Sequence, residues 1–318
     1  MDRIGKSLMR TKEALEVMRG ADYGKIPELI RFCPQEVSLE LYQRICLVRS
    51  FEAGVIEAIQ QGFITYPVYL STGQEAIAAA LSMVIDDYHI FAQHRSHDIF
   101  LTFGGDPARL RDELLGLPSG SSKGKAGSNC LQYHGSQVTM WGHHGLIGEN
   151  VPQAVGAALG SGRKTMCLFG DGAAEEDYVF ASMGFAVTHR LPVFFVCVDN
   201  NLSILTPIET RRTWSLTEVA RALGMPAVDV TDDPWTVMHH ATELTANLPA
   251  FMNCFTCRGR WHVGAGTDGP PDWDRREIVL EELRGLGLET KLEAIEHQTQ
   301  DAMTQLWDRK TLQKLLGK

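Results

Sequence analysis

The sequence lacks the features that mark several common classes of protein. Its 318 residues contain no cluster of lysine or arginine, and the formal net charge is −9. Proteins that bind nucleic acid usually carry a basic patch, so this charge pattern argues against a nucleic-acid partner. No apolar run approaches membrane-spanning length, and the start of the chain lacks the apolar core of a signal peptide. We therefore expect a cytoplasmic protein that binds neither nucleic acid nor a membrane.

A disulfide framework is also missing. The seven cysteines are an odd number and have no framework spacing. Cys167 and Cys197 lie inside apolar runs, where thiols behave as small buried hydrophobic residues. Cys254 and Cys257 form a CxxC pair, but residues three apart in a strand point to opposite faces, which disfavours a metal or redox site. We expect all the cysteines to be reduced.

Hydrophobic periodicity predicts an α/β domain. Residues 165–169 and 193–198 are short, continuous apolar runs, as in strands that helices cover on both faces of a parallel sheet. Apolar residues recur at helical spacing between them, which predicts a strand–helix–strand crossover. With 44% hydrophobic residues, the chain can bury the core of one large domain. Further helices are predicted over 36–61, 77–84, 107–115, 151–160, 218–223 and 235–247, and further strands over 88–92, 227–230 and 251–257.

Polar clusters follow both apolar runs at the points where the strands should end. Gly170-Asp171-Gly172 follows the first run, and Asn200-Asn201 follows the second. In open α/β sheets, ligands bind beyond the carboxyl ends of the strands, so the two clusters should meet in a ligand crevice. The two glycines allow a backbone to approach an anion closely, and the helix that follows offers unpaired N–H groups to a phosphate.

The residue types in these clusters suit a divalent cation. Mg²⁺ prefers a few protein oxygens, with phosphate oxygens and water as its remaining ligands. Because successive strand residues point in opposite directions, only one of Asn200 and Asn201 should face the metal. The alternative is that the triplet is a tight turn and the asparagines a loop, since these residue types dominate turns. We favour a magnesium and diphosphate site because both clusters occur together.

This pattern resembles the thiamin diphosphate signature, in which a GDG triplet precedes paired asparagines. Other segments, in their order and separation, are similar to the α subunit of the E1 component of 2-oxo acid dehydrogenase complexes: 41–52, 71–76, 93–97, 124–128, 144–148 and 256–262. The resemblance covers residues 36–305. It implies an α/β, three-layer thiamin diphosphate-binding fold with a mainly parallel central sheet flanked by helices, plus N- and C-terminal helical extensions. It divides the chain into a helical arm over residues 1–35 and a thiamin diphosphate-binding domain with C-terminal helices over residues 36–318.

The resemblance also implies roles for individual residues. Mg²⁺ would be held by Asp171, Asn201 and the backbone carbonyl of Ser203. The catalytic candidates are His94 and His262, and the family usually carries tyrosine where this chain has His94. The cofactor-binding set that the resemblance implies is His94, Arg95, Gly145, Ile147, Gly170, Asp171, Gly172, Ala173, Asn201, Arg258 and His262. Within it, Arg95, Arg258 and His262 would contact the diphosphate, and the backbone at Gly145 and Ile147 would meet the aminopyrimidine ring.

A shared active site follows from the same resemblance. Proton relay in this family depends on a glutamate from a pyrimidine-binding domain that belongs to the β subunit. We expect an α₂β₂ assembly that decarboxylates a 2-oxo acid and transfers the acyl or aldehyde unit, with a lipoyl E2 protein as a further partner. Two alternatives are a carboligase that passes an aldehyde-level unit to a carbonyl acceptor, and a non-catalytic scaffold paralogue. The complete set of metal and diphosphate residues argues against the scaffold.

Overall fold

The structure, a computed structural model, describes residues 29–317 except residues 31, 137 and 144. Most of the predicted helical arm over residues 1–35 therefore lies outside the described residues. The helices are α1 (Gln35–Gln60), α2 (Glu75–Ser82), α3 (His97–Thr102), α4 (Pro107–Leu114), α5 (Asn150–Ser161), α6 (Asp177–Thr188), α7 (Ile208–Arg211), α8 (Leu216–Ala222), α9 (Pro234–Thr245), α10 (Arg275–Arg284), α11 (Glu289–Leu306) and α12 (Arg309–Leu315). No helix in this part of the chain is both long and apolar enough to cross a membrane.

One central sheet organises the fold. The strands are β1 (His89–Phe91), β2 (Tyr133–His134), β3 (Thr139–Trp141), β4 (Thr165–Gly170), β5 (Val193–Asp199), β6 (Leu202–Ser203), β7 (Thr206–Pro207), β8 (Ala227–Thr231) and β9 (Ala250–Phe255). The sheet has the order β2-β3-β1-β4-β5-β9-β8, and β6 pairs with β7 in a separate hairpin. Within the sheet, only the β2–β3 pair is antiparallel. The predicted mainly parallel sheet is confirmed.

Alternate residues of the central strands pack into two different layers. On β5, Phe194 and Val196 join a core built with α1, α2, α9 and the C-terminal helices. Phe195 and Cys197 point the other way and join a second core with α5, α6 and α8. Burial on both faces explains why the sequence of β5 is continuously apolar. The three-layer α/β architecture is therefore confirmed.

The register of the sheet determines where ligands can bind. Gly170, the last residue of β4, pairs with Val198 near the end of β5. The two central strands therefore end side by side, and the polar residues that follow them share one edge of the sheet. The pairing of Gly170 with Val198 thus brings the triplet and the asparagine pair together, although the crossover helix α6 separates them in the sequence.

The segment between α4 and β2 is ordered by one buried carboxylate. Glu113 accepts hydrogen bonds from the backbone N–H groups of Ser122, Gly124 and Ala126, at 2.7, 2.9 and 2.6 Å. The Gly- and Ser-rich composition of this segment alone favours a flexible loop. Three charge-assisted hydrogen bonds instead hold the loop against α4.

Candidate functional site

A cavity of about 160 Å³ lies at the carboxyl edge of β4 and β5. The cofactor-set residues that line it are His94, Arg95, Ile147, Gly170, Asp171, Gly172, Ala173, Arg258 and His262, and the predicted metal-site residue Ser203 joins them. Residues far apart in the sequence therefore converge at the place where open α/β sheets bind ligands. Gly145 and Asn201 do not line this cavity. The backbone N–H of Gly145 donates to Nδ1 of His143 at 3.0 Å.

The two asparagines lie in different surroundings. Asn200 lines the cavity together with Asp171, whereas Asn201 lines an adjacent cavity with Asp199 and Arg212. Asn201 has a positive φ of 69°, and its side-chain oxygen accepts a hydrogen bond from Ile208 N–H at 3.3 Å. The side-chain oxygen of Asn200 likewise accepts from a backbone N–H, that of Leu202 at 3.1 Å, so what distinguishes the two residues is that Asn200 lines the cavity that contains Asp171.

The donors on this wall fit a magnesium ion. Asp171 supplies a carboxylate, Asn200 an amide oxygen, and Ser203 a hydroxyl and a backbone carbonyl. Hard oxygen donors of this kind, completed by phosphate and water, are what Mg²⁺ requires. A close approach brings Ser203 here, because a Cβ atom added to Gly172 would lie 2.7 Å from Ser203 Oγ. Because residue 172 is glycine, the loop after β4 can pack directly against Ser203 of the β6–β7 hairpin.

Two arginines form the opposite, cationic wall. Arg95 is 4% exposed, and it donates to the backbone carbonyls of Leu70 and, at 3.2 Å, His262. Arg258 donates to Asp268 and to the carbonyl of Ile204, both at 2.8 Å. Burial and the nearby Arg258 lower the pKa of Arg95 to about 10. With that pKa, Arg95 remains charged at neutral pH, so this wall attracts an anionic group such as a diphosphate.

Aromatic and imidazole rings cover the third side of the cavity. The His94 ring lies 5.4 Å from His262 and 6.1 Å from His143, measured between centroids, and Tyr69 packs edge-on against His94 at 5.0 Å. Burial and the adjacent Arg95 lower the pKa of both His94 and His262. These imidazoles are therefore neutral at pH 7 and able to accept a proton. The buried Nε2 of His94 has no hydrogen-bond partner within the described residues, which suits a ligand contact.

A buried carboxylate beneath the cavity supports the arginine wall. Glu52 of α1 accepts from the backbone N–H of Ser71 and the hydroxyl of Thr72, and Nδ1 of His97 lies 3.3 Å away. The carbonyl of Thr72 in turn accepts from Gly259 N–H at 2.7 Å, next to Arg258. Helix α1 thus helps to fix the loop that carries an arginine of the site.

Sequence patterns alone did not identify several residues at the site. Asn150 begins α5, and its side-chain amide donates to the carbonyl of Leu168 on β4 at 2.7 Å. An asparagine at a helix start is usually a cap, so no sequence pattern indicates this tertiary contact. Arg211 and Arg212, which contact Asp171, also carried no motif.

The chain is similar to known proteins along most of its length. Residues 43–264 match the family model described as "Dehydrogenase E1 component". The alpha subunit of acetoin:2,6-dichlorophenolindophenol oxidoreductase from Bacillus subtilis (strain 168) is 29% identical over 261 residues, which cover 78% of each chain. The somatic, mitochondrial pyruvate dehydrogenase E1 alpha subunit of Homo sapiens is 30% identical over 267 residues, covering 80% of this chain and 67% of the human one. The pyruvate dehydrogenase E1 alpha subunit of Zymomonas mobilis is 30% identical over 204 residues, which cover 62% of this chain and 57% of its own.

Solved structures share the fold at low sequence identity. A transketolase from Campylobacter jejuni superposes with a TM-score of 0.56 at 15% identity, covering 89% of this chain and 49% of the transketolase. A Leishmania mexicana transketolase gives a TM-score of 0.52 at 14% identity, with 88% and 46% coverage. At this identity the superpositions show a common fold.

Proposed function

Because the chain belongs to the dehydrogenase E1 component family, we propose that it is the alpha subunit of a thiamin diphosphate- and Mg²⁺-dependent enzyme that decarboxylates a 2-oxo acid and transfers the acyl or aldehyde unit. One observation carries the proposal. A single cavity joins the oxygen donors of Asp171, Asn200 and Ser203 to the charged groups of Arg95 and Arg258. Residues 36–318 would then form the cofactor-binding domain and its C-terminal helices.

Each wall of the cavity has a separate task in this proposal. When bound, thiamin diphosphate supplies a nucleophilic carbon and an electron sink for decarboxylation. Asp171, Asn200 and Ser203 would hold the Mg²⁺, and Arg95 and Arg258 would bind the diphosphate. Buried guanidinium forks of this kind would donate to phosphate oxygens in a fixed geometry.

The imidazole side of the cavity would handle protons. His94 and His262 are neutral at pH 7 because burial and Arg95 lower the pKa of each. Through its N–H, a neutral imidazole at the cavity wall would donate a hydrogen bond to the substrate oxygen on which negative charge develops. His94 is the stronger candidate for a direct contact, since its Nε2 has no partner among the residues described.

A partner chain would complete the site. Ile147 and Ile204 line the cavity, and with their exposed sequence neighbours they form what we term the apolar rim: Leu146, Ile147, Ile204 and Leu205, which are 59, 40, 56 and 57% exposed. Contiguous exposed apolar surface of this kind commonly marks a protein interface. We propose that a beta subunit covers the apolar rim and supplies the glutamate that activates the cofactor, in an α₂β₂ assembly that a lipoyl E2 protein could also join.

A second substrate class is favoured by one relative. The Bacillus subtilis protein, which is aligned over 78% of both chains, is named for acetoin, a hydroxyketone, and for a dye as acceptor. The dye indicates an oxidation, but acetoin itself joins two aldehyde-level units, so the second candidate is a carboligase that passes an aldehyde-level unit to a carbonyl acceptor without reducing the dye. A screen of 2-oxo acids and hydroxyketones with an artificial electron acceptor separates the two. The scaffold alternative is disfavoured because both the oxygen-donor wall and the arginine wall are complete.

Calorimetric titration of the assembled alpha and beta subunits with thiamin diphosphate and MgCl₂ tests the proposal. Asp171→Asn should weaken the magnesium-dependent binding at least about tenfold, because an amide supplies no negative charge to the cation. Asp177→Asn is the matched control. Asp177 is exposed at the start of α6 and does not line the cavity, so its variant should bind like the parent.

The same titration distinguishes the alternatives. If the parent assembly binds no thiamin diphosphate, the scaffold alternative is favoured. If the isolated chain decarboxylates a 2-oxo acid without a partner, the shared active site is wrong.

A further inference from the structure

Two consecutive arginines hold the candidate magnesium ligand from outside the cavity. Nη2 of Arg211 donates to Oδ2 of Asp171, and its Nη1 lies 2.6 Å from Oε1 of Glu175. Nη1 of Arg212 donates to the backbone carbonyl of Asp171 at 3.0 Å. Neither arginine is among the residues that line the cavity. The carboxylate of Asp171 is thus paired with Arg211, its backbone carbonyl is bonded to Arg212, and the residue also lines the cavity.

These contacts are shielded from solvent. The side chains of Asp171, Arg211 and Arg212 are 2, 12 and 4% exposed. Salt screens interactions between buried charges much less than those on the surface. Glu175, 2.6 Å from Arg211 and 3.3 Å from Arg212, offsets part of their positive charge, and the remainder acts on any second cation that approaches the carboxylate of Asp171.

Arg211 and a bound metal ion would compete for the carboxylate of Asp171. An oxygen that accepts from a guanidinium is a poorer ligand for a metal, so the metal is limited to the other oxygen of Asp171. Like charges on a shared ligand repel each other, and a diphosphate bound to the arginine wall would offset that repulsion. A cation and a diphosphate should therefore bind better together than apart, and by linkage each should raise the affinity of the other equally.

We propose that Arg211 is a positioning residue that makes divalent-cation binding at Asp171 depend on the diphosphate. Arg211 orients the carboxylate and lowers its affinity for a free cation, so the cation binds tightly only when the diphosphate is present. The inference rests on the proposed function, because it takes Asp171 as the metal ligand.

Binding of Mn²⁺, followed by electron paramagnetic resonance on the assembled alpha and beta subunits, tests this inference without measuring activity. Titrations are made with MnCl₂ alone and with MnCl₂ in the presence of thiamin diphosphate. Arg211→Gln should bind Mn²⁺ alone about tenfold more tightly than the parent, since the competing charge is gone. It should also show a smaller gain in affinity on addition of thiamin diphosphate.

Two further variants separate charge from structure. Arg211→Lys keeps the positive charge, so it should retain the weak binding of Mn²⁺ alone that the parent shows. Arg221→Gln removes an exposed arginine that pairs with Glu218 on α8, and it should behave like the parent. A purely structural role for Arg211 predicts the opposite result for Arg211→Gln, namely weaker Mn²⁺ binding under both conditions.

The outcomes separate this inference from the proposed function. If Arg211→Gln binds Mn²⁺ alone no more tightly than the parent, while the parent still binds Mn²⁺ with thiamin diphosphate, the role of Arg211 is overturned and the function stands. If no form of the assembly binds Mn²⁺ even with thiamin diphosphate, both are overturned.

Discussion

Asp98 is a buried carboxyl group near the arginine wall, and its surroundings shift its pKa. Burial and the negative charges of Glu52 and Glu75 raise its pKa to about 7. Its Oδ1 accepts a hydrogen bond from Ile99 N–H at 2.8 Å at the start of α3. The folded state therefore binds the proton of Asp98 more tightly than the unfolded state does, for which the pKa is near 3.9.

This difference gives stability a defined pH dependence. Between about pH 4 and pH 7 the unfolded chain binds fewer protons than the folded chain, so the free energy of unfolding falls as pH rises. Above pH 7 the contribution is constant. Asp98→Asn cannot ionise and keeps an oxygen that can accept from Ile99. The unfolding free energy of the variant minus that of the parent should therefore rise by roughly 2 kcal/mol from pH 5 to pH 8.

Urea denaturation at pH 5, 6, 7 and 8 measures this difference. Asp86→Asn is the control, because Asp86 is exposed and its variant should differ from the parent by the same amount at every pH. A difference for Asp98→Asn that does not change with pH would contradict the raised pKa.

The two asparagines show how much of the site can be predicted from sequence. The triplet and the pair were expected to meet, because two apolar runs predict two neighbouring strands whose ends carry them. Which asparagine faces the cavity depends on a turn with a positive φ at Asn201 and on a hydrogen bond to Ile208. Strand alternation does not extend into such a turn, so the sequence left both Asn200 and Asn201 open.

At the scale of elements, the strongest expectations came from local patterns. Strand β5 and helix α5 lie within a residue of their predicted bounds, because β5 is one continuous apolar run and α5 one run of small and apolar residues. No local sequence pattern predicts the contact of Arg211 with Asp171. It joins helix α7 to the end of β4 across a long stretch of chain, and only the packed fold brings them together.

The loop before α2 packs against the loop of Arg258 too closely for any side chain. Gly73 has a φ of 97°, and an added Cβ would lie 2.4 Å from the carbonyl oxygen of Cys257 and 2.6 Å from the nitrogen of Gly259. Gly73→Ala should therefore combine left-handed strain, worth about 1–2 kcal/mol, with a backbone clash. We expect a loss of stability of more than about 3 kcal/mol and displacement of the Arg258 loop.

Gly62 is a control for Gly73, because it shares the positive φ but has no atom that an added Cβ would clash with. Gly62 follows α1 with a φ of 73°, but an added Cβ there would meet nothing within 4 Å. Gly62→Ala should lose only the conformational part, about 1 kcal/mol. Urea denaturation of both variants measures the two losses, and equal losses would show that the close approach at Gly73 has no energetic effect.

At the scale of the whole molecule, the fold and the family that the sequence predicted are confirmed. A long series of separated segments identified the family, and three of them, 93–97, 144–148 and 256–262, contribute residues to one shared cavity. The surface that a partner would cover could not be predicted from the sequence. Exposed apolar residues indicate an interface, and the sequence alone does not show which residues are exposed. The fold shows that Ile147 and Ile204 line the same cavity.

The apolar rim should be needed for assembly but not for folding. Leu205 is 57% exposed at the tip of the β6–β7 hairpin and does not line the cavity. Leu205→Asp should leave the stability of the isolated chain within about 0.5 kcal/mol of the parent. It should weaken association with the beta subunit at least about tenfold, because a charge would be buried unpaired at the interface.

Light scattering coupled to size-exclusion chromatography measures this association over a range of concentrations. Leu286→Asp places the same charge on the turn between α10 and α11, where Leu286 is 38% exposed, and it should assemble like the parent. If Leu205→Asp assembles normally, the beta subunit does not cover the hairpin. If both variants fail to assemble, the effect comes from added charge and not from the rim. Loss in Leu205→Asp alone would place the partner at the cavity opening, where the proposed function requires a glutamate from the beta subunit.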